Sequence, residues 1–423
     1  MKIKVLGGAH EIGGNKILVQ SGKSNFWFDL GVKYGQKLEL FEYGIVRRFS
    51  LKRLVSQGLF PLKEIKESVI EENGLKTINL MLSHAHSDHY GLLTFYNAWE
   101  KTGIFVRLFT SSDLFRLLKT RLQIGKLGKV LTYIDCRDIK EADIANLSGL
   151  EKVPVDHSID ASYGYVASTP EGYIGYTGDL RFSNEKVFQK TLEKFEGVDY
   201  LITEATRVAS YNLLSEDEVK LRFKDIMDKY WDSTVIVVVG WYTHTSRVRS
   251  IIEASGGRKV VLNPKIALLL DAADDSILKH PRVYVLKMRE REEIPLNART
   301  MTLQEVNEER GNVVVVIPEA QKLYMWREET PDSILVRPKD VVIGSLSEPY
   351  DEDSAEALIR LSTYVLRELK VPIYHVHASG HASLDQIADF INEVKPKEVF
   401  VVHSPVPEAL KPLLMDNIQV HMP

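Results

Sequence analysis

Short apolar or alternating runs, bounded by glycine and polar turn residues, open the chain at 2–6, 16–20, 25–30 and 77–83, and each reads as a β-strand. Between Gly31 and Thr77 lie two runs of helical spacing, SLKRLVSQGL and PLKEIKESVIEE, and this stretch is long and polar. Further strands are expected at 105–110, 164–169 and 173–176. From about Val198 the pattern becomes a β-α alternation. A strand at 200–202 precedes a helix over 216–230, then a strand at 234–239, a helix over 246–254 and a strand at 259–262. After a helix over 354–369 come a strand at 373–377, a helix over 384–394 and a strand at 398–402. Strands alternating with helices of this length predict parallel βαβ units.

The pattern has no short repeat, low-complexity tract or flexible linker. It predicts an α/β fold in which one domain, 1–196 resuming at 371–423, is interrupted by a second at 197–370. A chain of 423 residues is long enough for two cores. With 44% hydrophobic and 26% charged residues it has the balance of a globular protein rather than a disordered one. The apolar run 235–239 is far shorter than the roughly 20 residues a membrane helix needs, so no membrane partner is expected. The N-terminus enters a strand without the apolar core of a signal peptide, and the single cysteine, Cys136, excludes an intrachain disulfide. Both features predict a cytoplasmic protein. A net charge of −4 argues mildly against a nucleic-acid partner unless positive charge is gathered locally.

Chemistry concentrates where the strand at 77–83 ends. His84, His86, Asp88 and His89 fall within six positions, followed by Gly91 and a helical run. Imidazole and carboxylate donors suit Zn²⁺ or a similar divalent ion, and one cysteine rules out a thiolate site. Alternating His84 and His86 point to one ion, and Asp88 and His89 turn toward a second. One loop cannot complete two coordination shells. His157, Asp179 and His403 each stand where an apolar strand stops, and with the cluster they offer a third histidine, a bridging carboxylate and a final histidine.

The run HAHSDH, with His157 and Asp179 downstream, resembles the metallo-β-lactamase superfamily. Leu6-Gly7-Gly8, Glu11-Ile12-Gly13, Asn15 and Phe28-Asp29-Leu30-Gly31 are similar to its opening motifs, and 157–179 is close to the ribonuclease J pattern. Glu204 in TEAT, His381 in HASGHA, and His403 resemble the nucleic-acid-processing β-CASP branch, as does the segment 241–249, which includes His244. The resemblance implies a metallo-β-lactamase αββα sandwich interrupted by a β-CASP α/β domain. It implies two divalent ions, Zn²⁺ foremost and Mn²⁺ as the alternative. His84, His86 and His157 would hold one ion and Asp88, His89 and His403 the other, with Asp179 bridging. It also implies that Asp29 orients a ligand from outside the coordination sphere. Glu204 and His381 would form a pair in which the carboxylate positions the imidazole against the scissile phosphate or leaving oxygen. Ser379, Gly380 and His377 would meet substrate phosphate, and Arg207 and Arg247 would line the substrate path.

In this branch histidine at the position of His403 accompanies RNA rather than DNA, so the implied activity is hydrolysis of single-stranded RNA, 5′ to 3′, in the manner of ribonuclease J. The rivals are an RNA endonuclease, a DNA nuclease of the same fold and a small-molecule metallo-hydrolase, which would have little use for Glu204, His381 or a domain-sized insertion. A homodimer is one quaternary option. The loop 346–350 departs from the ribonuclease J pattern. The stretch 114–129 carries Arg116, Lys119, Arg121, Lys126 and Lys129 with no acid, a candidate backbone-phosphate contact or a solvated helix face.

Overall fold

The computed structural model describes residues 1–33, 49–139, 144, 147–208, 214–240, 245–274, 276–287, 293–318, 336–347 and 352–423. His244 and the rest of 241–244, together with 348–350 of the departing loop, lie outside the described residues. The chain divides into two compact units. One comprises Met1–Tyr211 with Gly380–Pro423, the other Asn212–Ser379.

Among the described residues the first unit holds two sheets. In the first, β1 (Lys2–Gly7), β2 (Lys16–Ser21) and β3 (Ser24–Leu30) form an antiparallel meander, to which β5 (Leu75–Met81), β6 (Phe105–Thr110) and β7 (Ile134–Asp138) add in parallel. The run expected to stay helical to Glu72 instead breaks after the helix Leu62–Glu67. Ile70–Glu72 becomes β4, antiparallel to β5. The cause is local: Asn73 and Gly74 both take positive φ, 51° and 78°, which is the two-residue hairpin turn that Asn-Gly favours.

The second sheet runs β8 (Ser148–Pro154), β9 (Tyr163–Thr169), β10 (Gly172–Tyr176), β11 (Tyr200–Glu204), then β19 (Glu398–Val402) and β20 (Gln419–His421). From β10 onward its pairings are parallel. The two sheets face one another. Phe28 of the first packs its ring 4.8 Å from that of Tyr176 and 6.1 Å from that of Tyr165 on the second. Helices Glu185–Phe195 and Leu384–Val394 pack on the second sheet through Phe195, Phe390 and Ile391 against Leu201, Val399 and Val401. Helix Tyr96–Thr102 sets Trp99 edge-on to Phe60 at 5.2 Å.

The second unit is built on an all-parallel sheet in the order β15-β14-β13-β16-β12-β17-β18. Its strands are β12 (Val235–Val239), β13 (Lys259–Leu262), β14 (Val283–Lys287), β15 (Thr300–Thr302), β16 (Val313–Pro318), β17 (Val341–Ser345) and β18 (Ile373–His375). Strands such as VIVVV read as unbroken apolar runs because both faces are covered. Val235, Val237 and Val239 join one core with Phe223, Ile251 and Ile266, whereas Ile236 and Val238 join another with Leu303, Val306 and Leu361.

The structural division falls at 211/212 and 379/380, not at 196/197 and 370/371. β11 lies between β10 and β19, so residues 200–204 belong to the first unit. β18 hydrogen-bonds to β17, so residues 373–375 belong to the second.

Candidate metal centre

Strand ends in the first unit bring the donors together. His84 follows β5, Asp179 follows β10, Glu204 ends β11 and His403 follows β19. This is the position at which parallel strands of α/β folds place their sites, just past the carboxyl edge. Sharp exits are needed there. Gly178 takes φ +60°, and a Cβ on it would stand 2.7 Å from that of Ser83. Asp29 and His403 adopt left-handed φ of 56° and 51°, a conformation held against an intrinsic cost for non-glycine residues.

The donors form two groups, each with its donor atoms within 4.8 Å of one another. His84, His86, His157 and Asp179 form one, and Asp88, His89 and His403 the other. A third grouping of Asp179, His381 and His403 overlaps them. Asp179 Oδ2 sits between the groups, 3.1 Å from His89 Nε2, 3.6 Å from His403 Nε2, 3.7 Å from His84 Nε2 and 3.8 Å from His157 Nε2. Its other oxygen, Oδ1, is buried and has no hydrogen-bond partner among the described residues. A buried carboxylate oxygen left without a donor is costly. Nitrogen atoms of His84 and His86 approach to 2.9 Å, and of His86 and His157 to 3.2 Å. An orphaned carboxylate oxygen and converging imidazole nitrogens fit divalent metal ions between them.

A surrounding layer fixes each donor. Asp29, fully buried, accepts from the Ser83 amide (2.7 Å), the Ser83 hydroxyl (2.7 Å), His89 Nδ1 (2.7 Å) and the Tyr176 hydroxyl (2.5 Å). With Nδ1 protonated and held by Asp29, His89 turns Nε2 toward Asp179. The Ser83 hydroxyl also lies 3.0 Å from His84 Nδ1. His157 donates from Nδ1 to the Gly380 carbonyl at 2.7 Å. Glu204 receives His381 Nδ1 on both oxygens, at 2.9 and 2.8 Å, and is held by the Leu180 amide at 2.7 Å. The Thr206 hydroxyl donates to Glu204 and lies 2.7 Å from His403 Nδ1, joining the carboxylate–imidazole pair to the last donor.

Protonation suits the donors to their places. Burial, reinforced by neighbouring imidazoles, holds His84 and His157 well below the usual histidine range, and burial takes His86 to about 3. These rings are neutral and ready to bind a cation. Burial opposes a charge on His89, yet Asp179, Asp88 and Asp29 together raise it well above the ordinary value. Burial likewise opposes ionisation of Asp179, which His403 and His89 nevertheless keep well below the carboxylate range. Asp88 is lowered in the same sense by His89 and His403. A metal ion held there would displace a proton from His89.

Not every expected substrate contact belongs to this cluster. Arg247 lies in the second unit and is buried, 1% exposed. Its guanidinium pairs with Glu216 at 3.0 Å and donates to Ser345, to the Ala378 carbonyl at 3.1 Å and to His377 at 3.4 Å. Instead of lining a substrate path it ties helix Glu216–Lys229 to the ends of β17 and β18. His377, partly buried, belongs to the same network, and Ser379 is buried at the last position of that unit. His375 is exposed, and β18 ends there, two residues before His377. Gly380 contributes its carbonyl to His157, and a Cβ there would meet Ser158 at 3.0 Å. Arg207 is partly buried and bridges the backbone of Ser383. Sequence reasoning assigned no role to Ser83, Tyr176 or Thr206. Their signal was position alone, one residue before His84, three before Asp179 and two after Glu204.

Residues 66–228 match the Beta-lactamase superfamily domain, and residues 368–423 the Zn-dependent metallo-hydrolase RNA specificity domain. The chain is 24% identical over 431 residues to Ribonuclease J of Pyrococcus abyssi, covering 95% of this chain and 89% of that protein. It is 26% identical over 357 residues to Ribonuclease J of Thermus thermophilus, covering 77% of this chain and 58% of that one. It also resembles, at 28% identity over 49% of its length, the Transcription termination factor FttA of a Lokiarchaeum species, spanning 31% of that protein. A crystal structure of a protein of unknown function from Enterococcus faecalis V583 superposes with a TM-score of 0.76 at 18% identity, covering 100% of this chain and 97% of the other. Among the described residues no helix is long and apolar enough to cross a membrane.

Proposed function

We infer that this chain, a member of the metallo-β-lactamase superfamily, is a metal-dependent ribonuclease of ribonuclease J type that cleaves single-stranded RNA with two divalent ions, Zn²⁺ before Mn²⁺. The observation that carries the reading is the Glu204–His381 pair set beside the donor cluster, since His381 also shares a donor group with Asp179 and His403. The matches to Ribonuclease J and to an RNA specificity domain support RNA as substrate.

His84, His86 and His157 would hold one ion and Asp88, His89 and His403 the other, with Asp179 shared. Ions bound there supply Lewis acidity to the attacking water and to the charge gathering on the phosphate. The chain's own residues do the rest. Asp29 keeps the His89 proton on Nδ1 and so fixes which nitrogen faces the centre. Gly380 does the same for His157. Glu204 holds the Nδ1 proton of His381, leaving Nε2 to stabilise the phosphate or to deliver a proton to the leaving oxygen. Thr206 locks Glu204 and His403 into one arrangement, so the proton donor keeps a constant position relative to the last ligand.

The test is digestion of a 5′-monophosphorylated RNA labelled at its 5′ end. Prompt release of labelled mononucleotide supports the 5′ to 3′ exonuclease, whereas discrete internal fragments point to an endonuclease, and preference for single-stranded DNA refutes the RNA assignment. His381→Ala should lower turnover by at least about 100-fold with metal content intact, while Asp88→Ala should lose both. Normal cleavage by His381→Ala would remove the imidazole from the mechanism.

A further inference from the structure

Of the basic residues in 114–129, Arg116, Lys119, Lys126 and Lys129 are exposed, as a solvated face requires. Arg121 differs. It lies near the end of helix Ser112–Ile124, whose Leu114, Leu117, Leu118 and Leu122 are buried, and its own side chain is partly buried. Its Nε donates to the Tyr90 hydroxyl at 3.3 Å, and its guanidinium lies 5.8 Å from the Tyr90 ring centroid. Tyr90 directly follows His89 on the short helix Ser87–Tyr90 that carries Asp88. Among the described residues the buried Arg121 Nη1 has no hydrogen-bond partner, and the one side-chain acceptor of the guanidinium is the Tyr90 hydroxyl.

A buried guanidinium nitrogen left without an acceptor is costly, and this one belongs to a side chain tethered next to Asp88 and His89, which would help to hold a cation. The arrangement makes physical sense when an anion enters between them. A guanidinium with one nitrogen tethered and another unsatisfied is suited to a phosphate oxygen.

We propose that Arg121 is a substrate-binding residue that grips a phosphate of the RNA backbone beside the metal centre through Nη1, with Tyr90 holding the guanidinium in position. The proposal rests on the ribonuclease reading for the identity of the ligand, and on the orphaned Nη1 for the existence of an anion site.

The metal-loaded full chain is assayed as Arg121→Gln and Arg121→Lys, with the exposed Lys119→Gln as control. Arg121→Gln should keep its metal content and thermal midpoint, lose roughly 10- to 100-fold in kcat/KM on RNA, and lose protection by inorganic phosphate against thermal unfolding. Arg121→Lys should recover part of both, and Lys119→Gln should match the parent. An Arg121→Gln protein with unchanged kcat/KM and phosphate protection overturns the proposal. So does one whose activity falls only in proportion to lost metal, which would make Arg121 a brace for the Asp88 helix. If Arg121→Gln does not fold, Arg121→Lys with parental metal content, parental kcat/KM and parental phosphate protection refutes the grip through Nη1. If the parent cuts no RNA yet binds phosphate through Arg121, the ribonuclease reading falls and the anion site stands.

Discussion

Asp29 and Lys16 show how much of the centre depends on single buried groups outside the donor set. Asp29 gathers four donors onto one carboxylate, and its left-handed backbone is one that asparagine also tolerates. Asp29→Asn therefore removes the charge with little backbone penalty. It should weaken metal binding about 10- to 100-fold, measured by competition with a chromophoric chelator, and an unchanged affinity would contradict the orienting role. Lys16 is 6% exposed and donates to the carbonyls of Gly14 (2.7 Å) and Gly31 (3.3 Å). Burial, partly offset by Glu11, lowers its ammonium from the usual 10.5 to about 8. The unfolded chain thus binds more protons between those two values, so this lysine's contribution to stability rises with pH across that window. Relative to Lys16→Met, which lacks the group, the parent should gain about 3 kcal/mol between pH 8 and 10.5, read from urea unfolding of both proteins. A constant difference would mean that burial does not lower the Lys16 ammonium. The donor residues themselves were legible because residue type and strand-end position coincide, as at His84 and His403. Ser83, Tyr176 and Thr206 were not, since a hydroxyl acquires a role only from what it faces in three dimensions.

Elements matter here chiefly through where they stop. The first unit's strands hold their residues by ordinary apolar burial, and each releases its functional residue at a turn of narrow tolerance. Gly31, just past β3, is the tightest of these. A Cβ there would sit 1.6 Å from the Asp88 carbonyl oxygen and 2.9 Å from the Asn15 nitrogen, in a backbone network that links Gly31 to Asn15 and Asn15 to Asp88. Gly31→Ala must push the helix Ser87–Tyr90 aside. It should cost about 3 kcal/mol or more and deplete the Asp88–His89–His403 group of metal, as seen by denaturant unfolding and metal analysis. Gly58→Ala, where φ is +70° and nothing lies within 4 Å, should cost only about 1–2 kcal/mol and leave metal binding alone. Equal costs would mean that backbone strain, not the contact with Asp88, dominates. Periodicity located most elements well: 105–110, 259–262, 384–394 and 398–402 coincide with the observed boundaries. It misplaced β4, where Asn73-Gly74 overrides a helical run. It also assigned β11 and β18 to the wrong units, because partner strands far apart in sequence decide which sheet an isolated strand joins.

At the scale of the molecule, the seven proposed ligands, Glu204 and His381 all lie in the first unit, although that unit is assembled from two distant stretches of chain. The second unit is continuous in sequence, and its all-parallel sheet has a buried core on each side. A domain-sized insertion with its own core is expected to be separable. In the first unit the backbone bridge between Arg207 and Ser383 brings the two flanking stretches side by side, so a short glycine–serine linker in place of 209–379 can close the chain at small entropic cost. The shortened protein should fold cooperatively and take up the same metal per chain as the full one, because no proposed ligand has been removed. Its metal content by elemental analysis and a single urea transition test this directly. If it binds no metal, or melts without a cooperative transition, the second unit is needed to form the centre. If it binds metal but cleaves RNA much more slowly than the full chain, the insertion serves the substrate and not the ions, as the compact placement of the ligands in one unit leads one to expect.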